Sequence, residues 1–162
     1  MTNECVEKRE QLGQLYGSVL GSTEVDPLFR GFFDHTRRNE LAMPRCGRCR
    51  MVHWYPALRC PHCASPDWHW SVMAPQATVF TWSVLRHQLD PLLPVLEGHI
   101  VALAEPLEAP GARLVGNVLA TPSDMAVGLD VTIEFVEAAG TELTLPVFVP
   151  CAGSCSVPGQ RS

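Results

Sequence analysis

From residue 76 onward, apolar and polar positions alternate in short runs. Val131, Ile133 and Phe135 alternate with Thr132 and Glu134, a two-residue period that gathers the apolar side chains on one face of a strand. Runs of this kind, rich in β-branched or aromatic residues and separated by Gly and Pro, predict strands at residues 78–85, 99–104, 113–120, 131–136 and 142–149. Five strands with no helical pattern between them predict a small closed sheet, for which the five-stranded oligonucleotide/oligosaccharide-binding (OB) barrel is the natural case. Upstream the period changes. Leu28, Phe29, Phe32 and Phe33 fall on one helical stripe, with Arg30, Asp34, Arg37 and Arg38 opposite. Asp26-Pro27 supplies an N-cap and a first-turn proline. From Leu12 the first 25 residues are loosely helical, but Gly13, Gly17 and Gly21 weaken that pattern and predict a frayed or partner-ordered helix.

Between the helices and the strands lie Cys46-Gly47-Arg48-Cys49 and Cys60-Pro61-His62-Cys63, ten residues apart. A Cys-x-x-Cys turn sets two sulfurs on one side of a metal, and two such turns complete a tetrahedral thiolate shell. Such a shell leaves no open position, so the expectation is one structural, non-catalytic zinc ion in a ribbon. A redox dithiol needs only one such pair. Four cysteines fill the shell, so His53, His62 and His69 are expected to be structural or surface residues. Trp54, Tyr55, Trp68 and Trp70 flank the ligands and are expected to cover the site and seat it on the barrel; exposed rings for base stacking are the alternative. Cys5, Cys151 and Cys155 lie near the termini and read as incidental free thiols.

Composition changes this picture in two ways. Charged residues make up 18% of the 162 and hydrophobic residues 46%, so the polar surface is thin and a partner interface is expected. The net charge of −5 is uneven. Residues 30–63 hold seven arginines against two acids, a net +5, whereas residues 64–162 hold three arginines against ten acids, a net −7. An acidic barrel argues against nucleic acid as its ligand. No apolar run is long enough to span a membrane and no secretory pattern opens the chain; with the cysteine usage this predicts a cytoplasmic protein. No nucleophile elbow, phosphate loop or dinucleotide fingerprint occurs. His87 with Asp90 is the one candidate acid/base pair, and a lone His after a strand is more often structural. Glu134 and Glu142 read as solvated, and Gly111-Ala112-Arg113 as an ordinary turn.

Taken together the chain is expected to be mostly β with N-terminal helices: a helical segment at 1–40, a rubredoxin-like zinc ribbon at 41–72, a five-stranded OB-fold barrel at 73–150 and a disordered tail at 151–162. This order of parts resembles the bacterial and archaeal family of zinc-ribbon plus OB-fold proteins associated with acyl-CoA metabolism, long called domain of unknown function 35. The matching residues are the Phe-rich helix at 27–39, Cys46-x-x-Cys49, Tyr55-Pro56 before Cys60-Pro61-His62-Cys63, and the strand that begins Ala77-Thr78-Val79-Phe80. Further matches are Ile100-Val101-Ala102-Leu103, Arg113-Leu114-Val115-Gly116-Asn117, Val127-Gly128-Leu129-Asp130-Val131 and Pro146-Val147-Phe148-Val149-Pro150. The resemblance implies a non-catalytic accessory subunit of a thiolase-like acyl-CoA enzyme: a thiolase, an acyltransferase or a lipid-transfer-protein-like aldolase. Steroid side-chain or related lipid breakdown is the implied setting, with acyl-CoA near the interface. Leu28, Phe29, Phe32, Phe33, Arg37 and Arg38 are the expected partner-binding residues, with Arg37, Arg38, Arg45, Arg48 or Arg50 meeting acidic groups. A single-stranded nucleic-acid binder and an independent acyl-CoA binder are the alternatives.

Overall fold

A computed structural model of the chain describes residues 3–21, 24–86 and 98–151. The expected strands at 78–85, 99–104, 113–120, 131–136 and 142–149 correspond to β3 Gln76–Leu85, β4 His99–Pro106, β5 Leu114–Val118, β6 Asp130–Glu137 and β7 Thr144–Pro150. They close into a barrel in the order β3-β4-β5-β7-β6. All neighbours are antiparallel except β5 and β7, which pair in parallel through Asn117↔Val147 and Val118↔Phe148. Strict alternation in β4 turns Ile100, Ala102 and Ala104 inward. With Val79, Leu114, Val131, Ile133 and Phe148 they form the barrel core. Ahead of the barrel, β1 Leu41–Cys46 and β2 Trp68–Met73 make an antiparallel hairpin, in register from Leu41↔Met73 to Cys46↔Trp68.

The hairpin is not a separate body. Leu41, Met43 and Met73 belong to the same apolar cluster as the barrel residues, and so does Phe32. Phe32 lies on α2 Arg30–Thr36, which follows a 3-10 turn at Pro27–Phe29. As the sequence suggests, Asp26 caps that turn, accepting from the Leu28 N–H at 2.8 Å. The buried Thr36 hydroxyl donates to the Thr144 carbonyl at 2.7 Å and fixes α2 to β7. Gly31 lets α2 sit close, since a Cβ there would stand 2.0 Å from Trp70 Nε1.

The first helix, α1 Asn3–Leu20, differs from expectation. It is laid against its own barrel through the buried Leu12 and Tyr16, which pack with Leu119, Val136, Ala138 and Val147. The glycines that weaken its helical pattern are what allow this contact. A Cβ at Gly17 would fall 2.1 Å from the Ala139 carbonyl oxygen, and one at Gly13 would fall 2.9 Å from that of Glu137. The Gly13 carbonyl accepts the Ala139 N–H at 2.9 Å. A chain of polar contacts reinforces the seat: His99 Nε2 meets Asn117 Oδ1, and Asn117 Nδ2 donates to the Tyr16 hydroxyl. Burial pushes the Tyr16 phenol up, and the Asn117 contact partly opposes it. Glu134 corrects another expectation. It is ion-paired to Arg9 of α1, which also donates to the Phe135 carbonyl at 3.1 Å. Glu142 remains well exposed. Gly111 takes the left-handed backbone expected of its turn, and Arg113 beyond it lies 3.4 Å over the Phe80 ring.

His87, Asp90, Cys155 and all of the expected tail at 151–162 except Cys151 lie outside the described residues, as does the side chain of Cys5. Cys151 is disulfide-bonded, which corrects its reading as a free thiol.

Candidate metal centre

The four cysteines meet at the far end of the β1–β2 hairpin. Cys46 closes β1, opposite Trp68 of β2. The two Cys-x-x-Cys turns repeat one backbone pattern. The Arg50 N–H donates to the Cys46 carbonyl at 3.0 Å and the Cys46 N–H to the Met51 carbonyl at 2.9 Å. The Ala64 N–H donates to the Cys60 carbonyl at 2.9 Å and the Cys60 N–H to the Ser65 carbonyl at 2.8 Å. Arg50 and Ala64, each directly after its pair, both take positive φ, 66° and 57°. The two knuckles are therefore copies of one another, which the repeated spacing predicts.

This folding brings all four Sγ atoms within 4.8 Å of one another. Cys46 lies 3.6 Å from Cys63, and Cys49 lies 3.6 Å from Cys60. A disulfide needs about 2 Å between sulfurs. Four sulfurs ~2.3 Å from a common centre stand ~3.8 Å apart in a tetrahedron. The arrangement fits a tetrahedral metal. Cys46 and Cys60 are buried, and Cys49 and Cys63 partly so.

Backbone dipoles already favour thiolate at the first position. The N–H of Cys49, 3.4 Å from Cys46 Sγ, draws the Cys46 thiol down to about 6, against the opposing effect of burial and with help from the Arg48 N–H. At Cys49 the Met51 N–H lowers the pKa, but burial and the neighbouring Cys63, Cys46 and Cys60 sulfurs win and raise it. Four thiolates without a cation repel one another, so full deprotonation requires a metal. Gly47 is held close to the side chain of Asp67, and its N–H donates to the Asp67 carbonyl at 3.0 Å.

The histidines behave as expected. His53 is buried, with Nδ1 2.9 Å from the Tyr55 carbonyl, whereas His62 and His69 are exposed. None joins the sulfur cluster. The aromatic residues divide. Trp54 stands 4.8 Å from Phe32, Trp70 stands 6.4 Å from Phe32, and Trp68 meets Trp70 edge-on at 5.6 Å. These rings seat the ribbon on α2 and the barrel. Tyr55 does not join them fully; it is 57% exposed and touches Phe29 at 6.0 Å. The expected partner-binding residues also divide. Phe32 is 3% exposed and occupied inside the chain, so it has no surface to offer a partner. Leu28, Phe29 and Phe33 are half-buried, and Arg37 and Arg38 are exposed.

Residues 33–69 match the model of the ChsH2 rubredoxin-like zinc ribbon domain. A solved structure described as "Ltp2-ChsH2(DUF35) aldolase" is 31% identical, with a TM-score of 0.69, and the match covers 78% of this chain and 96% of that one. This chain belongs to the DUF35 zinc-ribbon/OB-fold family. A protein of the same family from Sulfolobus solfataricus, of unknown function, shares the fold at a TM-score of 0.57 and 14% identity, over 90% of this chain and 94% of that one. Among curated proteins, a "Probable enoyl-CoA hydratase alpha subunit" from Thermomonospora curvata is 34% identical over 132 residues. That match covers 81% of this chain but 38% of the relative, so the chain spans about two fifths of the curated relative's length.

Proposed function

We propose that this chain is the non-catalytic accessory subunit of a thiolase-like acyl-CoA enzyme, most closely an aldolase. The observation that carries this reading is its 31% identity across 96% of the chain from the Ltp2-ChsH2(DUF35) aldolase structure. Cys46, Cys49, Cys60 and Cys63 hold one structural zinc ion. The closed donor set supplies no open position for a substrate, so the ion shapes the ribbon and does no chemistry. Residues 41–72 act as the ribbon and residues 73–150 as the barrel. Leu28, Phe29 and Phe33 present apolar surface, and Arg37 and Arg38 meet acidic groups of the partner. Acyl-CoA from lipid or steroid side-chain breakdown is processed by the partner, close to this surface.

The hydratase name of the Thermomonospora curvata relative belongs to a protein more than twice as long as the stretch matched here. Hydration is therefore not carried over to this chain. Four thiolates that hold a metal favour a cytoplasmic location. The test is co-purification with each thiolase-like protein encoded beside this chain. A stable complex whose acyl-CoA turnover depends on the partner's catalytic residues is the expected result. A chain that elutes alone from all of them, or that turns over acyl-CoA by itself, overturns the reading.

A further inference from the structure

The ribbon carries arginines that meet no carboxylate among the described residues. Between Glu40 and Asp67 the chain has four arginines, Arg45, Arg48, Arg50 and Arg59, and no acid. Four arginines elsewhere face carboxylates: Arg9 meets Glu134, Arg37 meets Asp34 and Glu142, Arg38 meets Glu40, and Arg113 meets Glu105, whereas Arg30 faces none among the described residues. Among the described residues no carboxylate stands in ion-pair range of the four ribbon arginines. Arg45 is occupied with Ser71 Oγ and the Arg50 carbonyl, and Arg59 with the Ala64 carbonyl. Arg48 and Arg50 are exposed. A tetrathiolate zinc would remove about two charges and leave this end positive.

Apolar side chains stand among these charges. Leu58 is 76% exposed, Tyr55 57% and Met51 45%; among the described residues, no large apolar residue of the barrel but Val127 is as open as the first two. The 3.6 Å approach of Cys49 to Cys60 sets Arg48 and Arg50 at the same end of the ribbon as Leu58 and Arg59. Tyr and Met with Arg are the residue types enriched in the cores of protein interfaces. A phosphate site needs no exposed leucine, and the acidic barrel beside the ribbon disfavours a polyanion, as its net −7 repels one. A protein partner with carboxylates around an apolar pocket matches both features.

We propose that the knuckle end of the ribbon, Arg48, Arg50, Met51, Tyr55, Leu58 and Arg59, is a docking surface for an acidic, apolar-centred face of the partner enzyme. This rests on the accessory-subunit reading, and it places the electrostatic anchor on the ribbon arginines rather than on Arg37 and Arg38, which follow α2. Leu58 is the apolar anchor, and Arg48 and Arg50 set the register and hasten encounter.

The experiment measures binding of the full zinc-loaded chain to the Ltp2 aldolase subunit of the matched complex and to any thiolase-like enzyme encoded beside this chain. It compares wild type, R48E/R50E, L58D and R37E/R38E, with zinc content confirming that each variant is folded. The expected result is at least 10-fold weaker binding for R48E/R50E and for L58D, a smaller loss for R37E/R38E, and wild-type binding that weakens with salt. Wild-type binding that R48E/R50E and L58D leave unchanged overturns the docking surface while the accessory-subunit reading stands. Wild type that binds neither enzyme overturns both. A single-stranded oligonucleotide bound by wild type and lost in R48E/R50E, without enzyme binding, replaces the proposal with a nucleic-acid surface.

Discussion

The barrel and the knuckle end of the ribbon are built on different physics within one chain. The barrel is held by apolar burial: Val131 and Phe148 are 0% exposed, and every strand has two neighbours. Between Cys46 and Trp68 the ribbon has no such core. Its buried residues there are Cys46, His53, Pro56, Cys60 and Ser65, and its order rests on knuckle hydrogen bonds and on whatever ties four sulfurs together. Charge divides the same way, with arginines unmatched by acids on the ribbon and an acidic barrel. The two meet where Trp54 and Trp70 pack on Phe32. A region that cannot bury enough surface needs a metal to fold, and it is then free to present charge and apolar side chains to a partner.

The sharpest way to break this division is at the sulfurs. Cys49→Ser should abolish tight zinc binding, because site formation in such modules contributes about 10 kcal/mol or more. Metal analysis should show under-loading, and near-UV circular dichroism should lose the signal of Trp54, Trp68 and Trp70. Far-UV strand signal should remain. Phe148→Ala attacks the other side. It should cost about 3–5 kcal/mol of global stability in denaturant titration, with zinc content unchanged in the folded fraction. Gly17→Ala forces a methyl against the Ala139 carbonyl. It should cost roughly 1–3 kcal/mol and raise proteolysis of α1 without touching the ribbon. Thr36→Val strands the Thr144 carbonyl, for about 1–3 kcal/mol. The smallest effect is at Glu40, whose carboxyl is held below its usual range chiefly by His35 and further by Arg38. A lowered carboxyl pKa stabilises the fold above the unfolded value, and that contribution is lost as pH falls through the folded value. Glu40→Gln should therefore lower the melting temperature slightly at neutral pH, leave it unchanged at low pH, and so flatten the acid limb of the profile.

Local patterns made the strands and the knuckles legible. Alternation in Val131, Ile133 and Phe135 needs only the neighbouring residues to place β6, and the Cys-x-x-Cys spacing carries its own geometry. What stayed hidden depended on distant partners. The glycines of α1 lower helix propensity in isolation, and only the approach of Ala139 shows why they are there. The stripe of Leu28, Phe29, Phe32 and Phe33 looks the same whether it faces a partner or its own domain. In the fold Phe32 turns inward onto Trp54 while Phe29 stays at the surface with Tyr55. Glu134 alternates outward from β6 as its period requires, but α1 brings Arg9 over that face. The parallel pairing of β5 with β7 links residues thirty apart and leaves no local trace. The ribbon arginines were visible as a charge run, yet their lack of facing carboxylates among the described residues is a property of the fold.

Native-state amide exchange on the zinc-loaded and the chelated chain tests the division most directly, since both regions report in one sample. Removal of the metal should collapse protection at the knuckle amides of Cys46, Arg50, Cys60 and Ala64. Val131 and Ile133 of β6 should keep nearly all of theirs. Loss of protection across the barrel as well, or no loss at the knuckles, would contradict the account.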